Sequence, residues 1–117
     1  MARVFGIHVV ELCPGVTAEE FERFVLETFL PALPVSQTPG VDIHLLKGDR
    51  GERAGKYIFM FEFDSIEARN RYFPAPGRPS EELKRLIEPL RPLSKKWEAL
   101  SARAKTDYVV LGSMPLE

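Results

Sequence analysis

A chain of 117 residues supports one domain with a single core, burying about two-thirds of the surface that its unfolded form exposes. Its 44% hydrophobic and 28% charged residues are those of a globular protein, and 16 basic against 17 acidic side chains leave a net charge of −1. That balance excludes a global field for gathering nucleic acid or an anionic membrane, and no apolar run approaches the ~18–20 residues of a membrane span. The lone Cys13 cannot form an internal disulfide, and the N-terminus has no signal-like run, so the cytoplasm is the expected location.

Arg3 to Leu12 reads as a first strand. Alternation places Phe5, Ile7 and Val9 on one face, and Val4, Gly6, His8, Val10 and Leu12 on the other. Both faces are largely apolar, the mark of a strand inside a sheet, and Cys13-Pro14-Gly15 ends it. Thr17-Ala18-Glu19-Glu20 forms a capping box. Phe21, Phe24, Val25, Thr28 and Phe29 follow at i, i+3, i+4, i+7 and i+8, which predicts an amphipathic helix stopped by Pro31 and Pro34. A second strand, Val41 to Lys47, sets Val41, Ile43 and Leu45 against Asp42, His44 and Leu46, a mixture suited to a sheet edge.

The loop Gly48–Gly55 leads back into the most aromatic stretch, Lys56 to Asp64. Tyr57, Phe59, Phe61 and Phe63 share one face, with Ile58, Met60 and Glu62 on the other. Four rings, each worth roughly 1.5–3 kcal/mol when buried, demand a cover. Asp64 as N-cap with Glu67 three residues on opens a second helix to about Phe73, and Pro74 to Pro79 reads as a surface loop. Ser80-Glu81-Glu82 caps a further helix whose apolar positions run from Leu83 to Trp97 and Leu100. Pro89 and Pro92 predict a break in it, since an interior proline costs about 3 kcal/mol. The last strand is expected at Asp107 to Gly112.

The order β-α-β-β-α-β is the α+β, ferredoxin-like arrangement, a single domain over residues 1–117 with a four-stranded antiparallel sheet. Crossover handedness places the first and third strands centrally, and the burial pattern picks the same two. Helices in this topology cover one sheet face only. A second copy of the sheet is the expected cover for the other, giving a homodimer joined through the sheet face.

In element order and burial the chain resembles, over essentially its whole length, the dimeric α/β-barrel superfamily. Its members include cofactor-independent antibiotic-biosynthesis monooxygenases, haem-degrading monooxygenases, muconolactone isomerase-like enzymes and stress-responsive barrel proteins. The resemblance rests on architecture rather than a motif, so it implies the paired barrel and transfers no catalytic residue.

His8 and His44 are the only histidines. If Phe5, Ile7 and Val9 share a face with Val41, Ile43, Leu45 and the aromatic row, then His8, His44 and Glu62 share the other. The imidazoles would stand roughly 10 Å apart around a common cavity, with the carboxylate between them to set a tautomer for general base work. The plain alternative is that each histidine hydrogen-bonds within the subunit interface. Tyr72, Phe73 and Trp97 lie on the helical layer, where the resemblance implies a pocket and an aromatic could stack on a flat ligand, with Tyr72 and Trp97 the ligand-binding candidates. Plain core is the more usual role of such residues, and Trp97 fits the leucine periodicity. Two distant histidines, one carboxylate and Cys13 lack metal-ligand spacing, and the glycine-rich loop lacks a Gly-Lys-Ser/Thr ending, so no metal or cofactor is expected.

The functional expectation is a small dimeric barrel protein that binds a small hydrophobic ligand, as a binding or stress-related module. One alternative is a cofactor-independent monooxygenase or isomerase acting on an aromatic or polycyclic substrate, and another is a haem-binding or haem-degrading protein.

Overall fold

The computed structural model describes residues 2–115. Its strands are β1 (Val4–Leu12), β2 (Val41–Lys47), β3 (Tyr57–Phe63) and β4 (Ser101–Val109), in the sheet order β2-β3-β1-β4 with every neighbour antiparallel. The two strands that are apolar on both faces are therefore the central pair. The helical segments are α1 (Ala18–Phe24), α2 (Leu30–Ala32), α3 (Ile66–Tyr72), α4 (Glu81–Ile87) and α5 (Arg91–Leu100). They supply the cover of one sheet face.

The caps are local and side-chain driven. The Thr17 hydroxyl accepts from the Glu20 N–H at 3.1 Å and the Ser80 hydroxyl from the Leu83 N–H at 3.2 Å. The cap of α3 is Ser65, one residue later than expected, with its hydroxyl accepting from the Ala68 N–H at 3.0 Å. Asp64 stays in the chain reversal, its N–H bonded to the Gly40 carbonyl. Nor does Pro31 stop the first helix. Val25–Phe29 widen into a π-helical turn in which the Leu30 N–H reaches the Val25 carbonyl, and α2 carries the proline on to Ala32. The wider turn relieves the crowding that a proline ring imposes on the carbonyl four residues back. The break at Pro89 is a 3₁₀ turn, Glu88–Leu90, between α4 and α5.

The last strand begins six residues earlier than its sequence suggests. The Ser101 hydroxyl donates to the Trp97 carbonyl at 3.0 Å as α5 ends, and Ser101 is already extended. From there β4 pairs with the whole of β1, Leu12 opposite Ser101 through Val4 opposite Val109. Residues 101–107 are rich in alanine, lysine and arginine and poor in strand formers; nine residues of ladder with β1 override that preference. At the β2–β3 hairpin, a Cβ on Gly48 would lie 1.9 Å from the Arg53 carbonyl oxygen, so only glycine closes this loop.

Two apolar clusters fill the space between sheet and helices. Val10, Phe21, Val25, Phe29, Tyr57, Phe59, Trp97 and Leu100 form one; Val4, Val41, Phe63, Tyr72 and Leu83 form the other. Near the first, Glu22 of α1 accepts hydrogen bonds from the Tyr57 hydroxyl and, at 2.7 Å, from Lys47 Nζ, tying the helix to the β2–β3 edge. Those bonds, Lys47 foremost, hold the Glu22 carboxyl below its ordinary range. Lys47 is raised, chiefly by the same bond, and Tyr57 is raised first by burial and then by its bond to Glu22.

Candidate functional site

Strand register decides which side chains can meet. Residues directly opposite one another in an antiparallel ladder point to the same face. Val4, Gly6, His8 and Val10 stand opposite Phe63, Phe61, Phe59 and Tyr57, and these in turn stand opposite Val41, Ile43, Leu45 and Lys47. This is the helix-covered face, since it carries both clusters. Phe5, Ile7 and Val9 share the other face with Ile58, Met60 and Glu62 and with Asp42, His44 and Leu46.

The histidines therefore lie on opposite faces, and the expected cavity shared by His8, His44 and Glu62 does not form within the chain. His44 Nε2 lies 3.3 Å from Glu62 Oε1 on the uncovered face, where Arg3 also reaches Glu62 at 3.5 Å. His8 stands among rings on the covered face, its centroid 5.2 Å from Phe61 and 6.2 Å from Phe59. Alternation had separated the two sets of β1 correctly but paired the wrong set with the aromatic row. The polar and small set, Gly6 and His8, faces inward, because the interior there is a cavity rather than packed core.

That cavity, of about 570 Å³ and partly open, lies beside the second cluster, whose Phe63 lines it together with Phe61, a ring packed against both clusters. Gly6 and His8 of β1 and Phe61 and Phe63 of β3 form its floor; Lys105 and Asp107 of β4 flank it. Opposite stand Arg69, Asn70 and Phe73 at α3, the proline loop, and Ile87 and Ser94 on either side of the break between α4 and α5. The interrupted helix is thus part of the reason for the gap. Gly6 is another, for it leaves the floor bare: a Cβ there would meet Asp107 Oδ1 at 3.2 Å and Phe61 Cβ at 3.7 Å. Phe61 packs against both clusters yet stays only half-buried, which leaves one ring edge for an occupant.

The polar groups have defined partners. Arg69 Nη1 donates to Asp107 Oδ2 at 2.7 Å, and Arg69 Nε to Asn70 Oδ1 at 2.8 Å. With its oxygen taken, Asn70 keeps its NH₂ as a donor. Register sets Lys105 directly opposite His8 and Asp107 opposite Gly6, so β4 presents both on the cavity side. Lys105 has no ion-pair partner among the described residues. Aromatic walls with a few convergent polar groups, in a volume of this size, suit the enclosure of a small flat molecule. His8 brings an imidazole to the floor of the cavity.

Of the three helical-layer aromatics named from the sequence, Phe73 lines the cavity and the other two do not. Tyr72 is buried in the second cluster with its hydroxyl 3.4 Å from the Pro39 carbonyl, and Trp97 is 3% exposed between Phe21, Phe29 and Phe59. Arg69, Lys105 and Asp107 form no local motif that would single them out, and Asn70, in the helix after the aromatic strand, matches no catalytic pattern of the superfamily that the chain resembles. The alternation of Lys105 and Asp107 was the only available signal, and it became readable once β4 was known to start at Ser101. Among the described residues no group of three His, Cys, Asp or Glu could hold a metal ion, and no helix is long and apolar enough to cross a membrane.

No family model and no curated protein matches the sequence. Solved structures do match. SnoaB, a cofactor-independent oxygenase from Streptomyces nogalater, is similar at 16% identity over 98% of this chain and 99% of its own, with a TM-score of 0.61. A dimeric protein of unknown function and ferredoxin-like fold from Bacteroides fragilis is 19% identical over 92% and 96%, with a TM-score of 0.55. The haem degrader MhuD from Mycobacterium tuberculosis, solved with two haems bound in its active site, is 17% identical over 95% and 98%, with a TM-score of 0.50. At these identities the likeness is one of fold: the chain is ferredoxin-like, as its element order implies.

Proposed function

We propose that this protein encloses a small, flat, apolar ligand between its sheet and its helices, as one half of a homodimer. The observation that carries this reading is the cavity floored by Gly6, His8 and Phe61 on the helix-covered face of the sheet. A neutral bicyclic probe, 2-naphthalenemethanol, tests it. Amide shifts mapped by NMR should centre on Gly6, His8, Phe61 and Phe73, and Phe61→Asp, which puts a charge into the floor, should abolish them. Shifts scattered over the surface, or unaffected by Phe61→Asp, would refute the reading.

Pairing is supported by the uncovered sheet face. Phe5, Ile7, Val9, Ile58 and Met60 form its centre with no helix over them among the described residues, and Leu46 and Tyr108 are 45% and 55% exposed beside them. An apolar face of this kind is what a second sheet would bury. The dimeric ferredoxin-like protein from Bacteroides fragilis lends support by fold. Sedimentation should give a dimer at micromolar concentration and a monomer for Ile7→Glu; a wild-type monomer would overturn the pairing.

His8 favours a second reading, a cofactor-independent oxygenase, which is also the activity named for SnoaB. His8 would accept a proton from an acidic C–H of an aromatic substrate; the carbanion would pass two electrons to molecular oxygen as a C–O bond forms, and the resulting peroxide would take the proton back from His8 as a hydroperoxide. Oxygen uptake with an acidic polycyclic phenol, lost in His8→Ala while 2-naphthalenemethanol still binds, would establish it. Uptake unchanged in His8→Ala would exclude His8 from the chemistry.

A further inference from the structure

From the distribution of charge around the cavity we infer that its ligand is a planar aromatic bearing an anionic oxygen group, and that Lys105 receives that group. This rests on the proposed cavity and adds the class of molecule it takes. Three charged side chains line the site. Arg69 and Asp107 neutralise one another at 2.7 Å, and Arg69 is held again by Asn70 at 2.8 Å. Lys105 alone of the three has no ion-pair partner among the described residues, so the lining carries one uncompensated positive charge. An anion is the complementary partner, and a cationic ligand would meet repulsion with no free carboxylate to offset it.

Position supports the same assignment. β4 is an edge strand, so Lys105 stands at the open flank of the cavity while the rings stand on its floor. A ligand lying with its ring against Phe61 and Phe73 keeps its anionic end beside Lys105, partly in water, and avoids the cost of burying a bare charge. The aromatic wall selects flatness. Phe63 is 2% exposed and lies within 19° of parallel to Phe61, backing it, while Phe73 stands at 60° to Phe61, so the two half-buried rings meet at an angle around the gap.

Three probes separate the claims: 2-naphthoate, planar and anionic; 2-naphthalenemethanol, planar and neutral; and decahydro-2-naphthoate, anionic but not flat. In NMR or calorimetric titrations at pH 7.5, 2-naphthoate should bind about fivefold tighter than the alcohol, the scale of one partly exposed ion pair, and tighter than the saturated acid, which keeps the charge but not the flat ring. Lys105→Met should bring 2-naphthoate down to the level of the neutral alcohol and leave the alcohol unchanged, while Lys105→Arg keeps the preference. Added salt should erode the advantage in the wild type and not in Lys105→Met. Equal binding of 2-naphthoate and the alcohol, or equal loss of both in Lys105→Met, overturns the anion assignment and leaves the cavity standing. Equal binding of the flat and saturated acids overturns the planar one. If no probe shifts Gly6, His8 or Phe61, the cavity reading falls with it.

Discussion

Trp97 offers the sharpest test of what the helical layer does. It is 3% exposed, stacks on Phe29 at 5.1 Å and 9°, and touches Phe59 at 4.8 Å and Phe21 at 5.5 Å. Replacing it with alanine removes the transfer energy of an indole and leaves a void that three rigid rings cannot close, about 3–5 kcal/mol. Set against a domain stability of roughly 5–15 kcal/mol, that is a large fraction, and at about 4 °C per kcal/mol the melting point falls by some 12–20 °C. Trp97→Phe keeps the stack on Phe29 and loses part of the volume, about 1–2 kcal/mol. Because the mutation removes the only tryptophan, unfolding in urea is followed by far-UV circular dichroism, at one protein concentration so that any association is held constant. A cycle with Phe29→Leu should return a coupling of about 0.5–1.5 kcal/mol. Affinity of Trp97→Phe for 2-naphthalenemethanol should stay within twofold of wild type. A variant that is fully stable but has lost tenfold or more in affinity would make Trp97 a ligand residue and refute its place in the core.

Gly6→Val should weaken 2-naphthalenemethanol binding tenfold or more in the same titration, because its methyls occupy the bare floor; unchanged affinity would mean the ligand lies elsewhere. Glu22→Gln tests the cluster that joins α1 to the sheet. The Glu22 carboxyl is lowered in the fold, so the unfolded chain takes up its proton first as pH falls, and the stabilisation, present above the ordinary carboxylate value, is lost as pH drops through the lowered one. Lys47 and Tyr57 are raised, so in alkali the unfolded chain releases their protons first, and the stabilisation present below their ordinary values is lost as pH rises through the raised ones. The gap in urea midpoint between wild type and Glu22→Gln should be widest near neutrality and close at both extremes; a gap constant with pH would refute the cluster. Ser80→Ala, which removes the cap of α4, should cost about 0.5–2 kcal/mol in the same urea assay.

Much of the fold was legible because its signals are local or periodic. Thr17 and Ser80 announce their helices through hydroxyls that cap the next turn, and Val41 to Lys47 has the strand limits its alternation implies. The apolar double faces of β1 and β3 mark the middle of the sheet. What escaped was fixed by partners distant in sequence. Residues 101–106 are strand only because β1 lies beside them. Alternation sorts His8 from Ile7 but cannot say which row faces the helices, and the choice of the more apolar row was reasonable for a solid core. The interior is not solid beside His8, and the more apolar row, Phe5, Ile7 and Val9, faces away from the chain's own helices. Lys105 and Asp107 became site residues only through that same long-range ladder.

β1 is a partition one backbone thick. Gly6 and His8 look into one compartment while Phe5, Ile7 and Val9 form the wall of the other, and a backbone shift that moves one row of side chains carries its neighbour. An occupant that shifts the backbone at His8 or Phe61 therefore displaces Ile7 and Met60 behind them. If two copies meet across that wall, filling the chamber and joining the halves become linked equilibria, each altering the other by the same factor.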